Sequence, residues 1–194
     1  MDLHALATRE LPRPPARVLE VGCGKGELAR ALAADGYDVL AIDPHAPEGL
    51  IFRRTTLEEL RDEGPFAAAL ASLALHHVDD LAVALDKLHS LLRRDAPLVV
   101  RDFAWDHVDE PTARWDYERR GREGGLAEWR AEHEHLHGFE AMRTALEARF
   151  RQRSFAWGPY LSEYQAAEGD LAEERRLIES GEIRAIGFVY VGLA

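Results

Sequence analysis

Apolar residues along this chain come in short runs closed by glycine, proline or aspartate. Between the runs lie stretches whose apolar residues recur three or four positions apart. The runs read as strands buried on both faces, and the spaced stretches as helices laid against them. The pattern predicts strands at 17–21, 37–42, 51–55, 66–73, 96–103, 151–157 and 183–191. It predicts helices at 3–10, 26–34, 79–92, 139–150 and 171–180. In the third of these, Leu81, Leu85, Leu88 and Leu92 share one face. Gly36 and Gly181 act as helix stops. Strands alternating with helices predict βαβ units and a largely parallel sheet with right-handed crossovers. Residues 104–138 break the rhythm. They are mostly helical in character and rich in Trp, His, Arg and Glu, and read as a lid over the carboxyl edge of the sheet within a single domain, 1–194.

Composition narrows the possibilities. With 194 residues, 46% of them hydrophobic, the chain can bury a full core. No apolar run is long enough to span a bilayer, and the start MDLHALATRE lacks the layout of a signal peptide. A single cysteine, Cys23, excludes an internal disulfide and points to the cytoplasm. A net charge of -11 argues against nucleic acid as a partner. The charged runs Glu118-Arg119-Arg120 and Glu173-Glu174-Arg175-Arg176 read as solvated helix faces. Composition leaves the oligomeric state open.

The chemistry concentrates at Glu20-Val21-Gly22-Cys23-Gly24-Lys25-Gly26, where a strand runs through three alternating glycines into a helix. Glycines there allow a tight turn and close approach of a ligand to the main chain. The helix start offers free N–H groups. A dinucleotide fingerprint needs G-x-G-x-x-G. Here Glu27 stands where its third glycine belongs, and a carboxylate would oppose a pyrophosphate. Asp43 closes the second strand, 17 residues after Gly26, and can accept hydrogen bonds from both hydroxyls of a ribose. Glu20 is a charge inside an apolar strand and requires a partner, such as a sulfonium or amino group.

Glu20, Gly22, Gly24 and Gly26, with Asp43 and the segment 71–92, resemble the class I S-adenosylmethionine-dependent methyltransferases, in particular their small-molecule branch. The resemblance covers 17–103 closely and 139–194 loosely. It implies a Rossmann-like three-layer α/β sandwich with strand order 3-2-1-4-5-7-6, the last strand antiparallel. It also implies S-adenosyl-L-methionine as cofactor and a small-molecule acceptor. Gly22, Cys23 and Gly24 would then line the methionine end, Asp43 would hold the ribose, and Ser72 and Leu73 would flank the cofactor. The acid such proteins carry after the third strand is displaced, or replaced by Thr56.

A base is needed if the acceptor keeps its proton until reaction. His76, Asp102, His107 and His133 are the candidates. Cys23 reads as a small loop residue, since no base sits beside it. His133-Glu134-His135-Leu136-His137 matches H-E-x-x-H formally, but Gly138 cuts the helix short, and solvated or substrate-facing histidines are expected rather than a metal. Trp105, Trp115, Tyr117 and Trp129 either seal the insertion or pave a pocket, as do Trp157, Tyr160 and Tyr164. Two other readings remain: a catalytically silent regulatory or scaffold protein that binds the adenosyl cofactor, and a non-methyl enzyme on the same scaffold.

Overall fold

The computed structural model describes residues 3–61, 63–163 and 170–194. Its strands are β1 Arg17–Val21, β2 Asp38–Asp43, β3 Phe52–Arg54, β4 Ala68–Ser72, β5 Pro97–Phe103, β6 Arg151–Gly158 and β7 Gly187–Leu193. Its helices are α1 Leu3–Glu10, α2 Glu27–Ala34, α3 Leu81–Ser90, α4 Glu110–Arg119, α5 Leu126–His133, α6 Phe139–Glu147 and α7 Asp170–Ser180. The seven strands form one sheet in the order β3-β2-β1-β4-β5-β7-β6. Pairing is parallel from β3 to β5, and β7 runs antiparallel to both β5 and β6. Both the expected order and the expected antiparallel strand are present.

Each face of the sheet has its own core. Leu19, Val21, Leu40 and Ile42 point to the side covered by α3 and α6. Val18, Val39, Ala41 and Leu70 point to the side covered by α1 and α2. This double burial explains why β4 is apolar up to Ser72 and why β1 is apolar apart from Arg17 and Glu20. The α3 helix starts cleanly because the Asp80 carboxylate caps the Ala82 and Val83 amides at 2.8 and 3.0 Å. A third, smaller cluster lies under the insertion and includes Phe103, Val108, Tyr117, Trp129 and Ile186.

Boundaries shift where side chains have other work. Residues 183–186 do not extend the last strand. The Arg184 amide instead donates to the Thr112 hydroxyl at 2.9 Å, and Ile186 packs beneath the insertion. Phe66 makes only an isolated bridge to Leu92 ahead of β4. Among the described residues no helix is long and apolar enough to cross a membrane. Tyr164 lies outside the described residues.

Candidate functional site

The carboxyl ends of β1, β2, β4 and β5 converge on one edge, and the sequence-predicted residues gather there. The Gly22 and Cys23 amides both donate to the Ile42 carbonyl, at 2.9 and 3.1 Å, so the loop stays tied to β2 as it turns away from β1. Gly22, Gly24 and Gly26 have φ of 75°, 50° and 75°, a left-handed conformation that disfavours any side chain. A Cβ on Gly24 would meet nothing within 4 Å, so the loop faces open space there. A Cβ on Gly26 would run into the Phe52 ring. Gly26→Ala therefore combines backbone strain with a clash. It should cost about 1–3 kcal/mol in urea denaturation; a loss below about 0.5 kcal/mol would mean that the turn is not under this constraint.

Asp43 braces the loop. Its carboxylate accepts from the Gly24 amide at 3.0 Å and from the His45 amide at 2.7 Å. Glu20 lies further back along β1, paired in register with Ala41 and Leu70. It is only 3% exposed, and its Oε2 has no hydrogen-bond partner. Burial, and then the nearby Asp43 charge, push its pKa up to about 7. Burial followed by the same two carboxylates pushes the Cys23 thiol up to about 12, which leaves it inert as a nucleophile.

Ser72 ends β4, and Leu73 after it has φ of 52°, an uncommon conformation for a branched side chain. The chain then makes a short 3-10 turn, Leu75–His77. His76 and Asp102, both expected as bases, meet here in different roles. His76 Nδ1 lies 2.6 Å from Asp102 Oδ1, and the two residues are 5% and 1% exposed. Asp102 also accepts from the Phe103 amide at 2.9 Å and the Leu75 amide at 3.1 Å. Surrounded by donors, it acts as an acceptor. Nδ1 therefore carries a proton, and in the neutral ring Nε2 is the acceptor. The two candidates are therefore one buried pair and not two separate groups.

His76 opens onto a cavity of about 480 Å³ between this edge and the insertion. Leu73 and His133 also line it; His107 does not. The His107 ring packs against Phe139 and Trp157, with centroids 4.8 and 5.2 Å away, so the structure does not bring it together with His76 and His133. His133 stacks on Trp129 at 4.0 Å, and its Nδ1 meets the Trp129 carbonyl at 2.7 Å. The H-E-x-x-H register is broken because α5 stops at His133, and His137 Nε2 meets the Val78 carbonyl at 2.7 Å. The tryptophans of the insertion both seal and pave. Trp129 Nε1 donates to the Trp105 carbonyl at 2.9 Å, and Trp129 also lines the cavity.

The two charged runs are more than solvated faces. Arg119 and Arg120 both pair with the buried Asp116, and Arg119 also reaches Asp170 at 2.9 Å and the Leu161 carbonyl at 2.8 Å. Glu174 is fully buried. It accepts from the amides of Tyr160, Leu161 and Ser162 at 2.8, 3.0 and 2.9 Å, and from the Ser162 hydroxyl at 2.5 Å. Together these residues hold Tyr160 and Leu161 in the cavity wall. The only local sign of Glu174's position was its place three residues before Leu177 on the buried stripe of α7.

A family model described as a methyltransferase domain matches residues 2–156. The ubiquinone biosynthesis O-methyltransferase of Rhodopseudomonas palustris is 29% identical over 149 residues, 66% of this chain and 59% of that protein. The protein of the same name from Xylella fastidiosa is 36% identical over 120 residues, 50% of this chain and 49% of that protein. Against the one from Azorhizobium caulinodans, 32% identical over 98 residues, the match takes in 43% of this chain and 39% of that protein. The chain thus spans about half the length of the curated relatives it matches. An S-adenosylmethionine-dependent methyltransferase from Methanosarcina mazei shares the fold, with TM-score 0.67, 16% identity, and coverage of 100% of this chain and 98% of that one. Another from Mesorhizobium loti has TM-score 0.65 and 18% identity, covering 98% and 96%.

Proposed function

The chain belongs to the methyltransferase-domain family, and from that premise we propose that it moves a methyl group from S-adenosylmethionine to a hydroxyl oxygen of a small molecule, with His76 as general base. The observation that carries this reading is the buried His76–Asp102 pair at the cavity, whose contact through Nδ1 leaves Nε2 as the other ring nitrogen for an acceptor. The matched relatives are named as O-methyltransferases, which agrees with a hydroxyl acceptor.

The glycine edge fits the cofactor on its own chemistry. Gly24 leaves the backbone open to the methionine end, Gly22 lets the loop pack closely on Ala74, and the unpartnered Glu20 carboxylate suits a cationic ligand. Asp43 receives the ribose hydroxyls, while Ser72 and Leu73 form the side toward the acceptor. When bound there, S-adenosylmethionine supplies a methyl group already activated as a sulfonium substituent. The acceptor lies in the cavity with its hydroxyl at His76 Nε2, which removes the proton as the oxygen is alkylated. Asp102 holds the ring and stabilises the imidazolium that results. The insertion acts as a lid that keeps water out.

Incubation with S-adenosylmethionine and a panel of hydroxyl and amino acceptors, read by S-adenosylhomocysteine release, tests the proposal. Release with hydroxyl acceptors is expected. Tight adenosyl binding without release on any acceptor would favour a silent scaffold instead. In calorimetry, Asp43→Ala should weaken S-adenosylhomocysteine binding by about 10- to 100-fold, the scale of hydrogen bonds to a charged group. Asp43→Asn, which keeps an acceptor oxygen, should lose less. Unchanged affinity in both variants would remove Asp43 from the site.

A further inference from the structure

Two adjoining stacked aromatic pairs line the acceptor cavity, and proton removal by His76 makes no use of them. In one Tyr160 lies on Phe103, with centroids 4.3 Å apart and planes within 7°. In the other His133 lies on Trp129, at 4.0 Å and 21°. The walls meet where Phe103 and His133 approach edge to face at 5.9 Å. All four rings line the cavity. Walls of this kind favour a flat π system over a saturated ring of equal size, because offset stacking and edge contacts need a planar partner. An apolar cavity of about 150 Å³ holds one benzene ring, so about 480 Å³ has room for a fused bicycle.

Charge makes the selection narrower. Two arginines line the space, and both are already matched. Arg120 pairs with the buried Asp116, and Arg122 pairs with Glu132 at 3.1 Å. Each also lies over Tyr117, at 5.1 and 5.3 Å from the ring centroid. A carboxylate brought into this cavity would compete for these guanidiniums with Asp116 and Glu132, which line it too, and would add to their negative charge. An uncharged ligand leaves the pairs intact.

We infer that the cavity takes an uncharged phenol, its aromatic ring held against the two stacked walls and its hydroxyl at His76. This deepens the proposed hydroxyl transfer and rests on it for the role of His76. Selectivity in binding can be read separately from transfer. The probes are 2-naphthol, decahydro-2-naphthol and 6-hydroxy-2-naphthoate, titrated by calorimetry into the protein saturated with S-adenosylhomocysteine. The expected result is that 2-naphthol binds at least tenfold more tightly than either of the others. Tyr160→Leu should reduce that preference at least threefold. Trp129→Leu should do the same, and Tyr160→Leu decides the matter if the tryptophan variant fails to fold. Equal affinity for the saturated ring, or a preference for the carboxylate, overturns the inference. S-adenosylhomocysteine release is measured alongside with S-adenosylmethionine as donor. Release with aliphatic alcohols as efficient as with phenols also overturns the inference while leaving hydroxyl transfer intact. Tight, planar-selective binding with no release from any hydroxyl compound sinks the transfer reading and upholds the aromatic cavity.

Discussion

Replacing His76 with glutamine should lower turnover by about 10²- to 10⁴-fold, the range for losing a positioned general base, with cofactor affinity unchanged. The introduced amide would still donate toward Asp102 and fill much of the ring's volume, but it offers no basic nitrogen to the cavity. Asp102→Asn should produce a comparable loss through a different route. It replaces an acceptor of three hydrogen bonds with a group that must turn its amide toward donors, and the imidazole then loses its tautomer and its anchor. That variant should also be less stable by about 1–3 kcal/mol, the cost of a buried mismatch. A nitrophenol already ionised at the assay pH needs no base, and comparing turnover at saturating acceptor sets aside the weaker binding of an anion in this cavity. The deficit of His76→Gln should largely vanish with it. A deficit that persists there would mean that His76 positions the acceptor and does not take its proton.

Glu20→Gln should act on stability and binding in opposite directions. Burial and Asp43 raise the Glu20 pKa from its ordinary 4.5 to about 7. Between those values the folded protein holds a proton that the unfolded chain has released. The stabilising contribution is thus complete below about 4.5 and is lost as pH rises through about 7. The shift corresponds to about 3 kcal/mol at most. At pH 8 the ligand-free wild type carries a buried carboxylate with an unpartnered oxygen, and Glu20→Gln removes that charge. The variant should therefore melt several degrees higher than wild type at pH 8, and the difference should shrink by pH 5. Its affinity for S-adenosylmethionine should fall at least tenfold at pH 8. Wild-type affinity should weaken as pH drops below about 7, where Glu20 takes up its proton, and the variant should not follow it. Melting curves and calorimetry at the two pH values decide this. A variant that is less stable at pH 8, or that binds the cofactor as tightly as wild type, would show that Glu20 meets its needs within the protein.

Much of the cofactor edge was legible because its signals are local. Glycines at alternating positions announce a left-handed turn, and all three have positive φ. A lone glutamate in an apolar strand announces a buried charge, and Glu20 is one. The acceptor side was not legible in the same way. His76 and Asp102 were separate candidates 26 residues apart, and nothing in either neighbourhood marks one as the other's partner. His107 looked equivalent to His76 by composition but packs against Phe139 and Trp157. The arginine and glutamate runs on α4 and α7 have the appearance of solvated faces, because charge content alone does not reveal a buried counter-charge on another element. Asp116 neutralises Arg119 and Arg120, and Glu174 gathers the amides of a turn that precedes it by more than ten positions.

The amino-acid sequence by itself determined the strand and helix alternation, the left-handed glycine turn and the acids at the ends of the first two strands. Each of these follows from backbone conformational preference and burial within a few residues. Only the tertiary structure decided which buried histidine is held by a carboxylate, which rings stack at the cavity and which arginines are already neutralised. Those are relations between side chains on different elements, set to a fraction of an ångström by packing, and no short stretch of chain encodes such a distance.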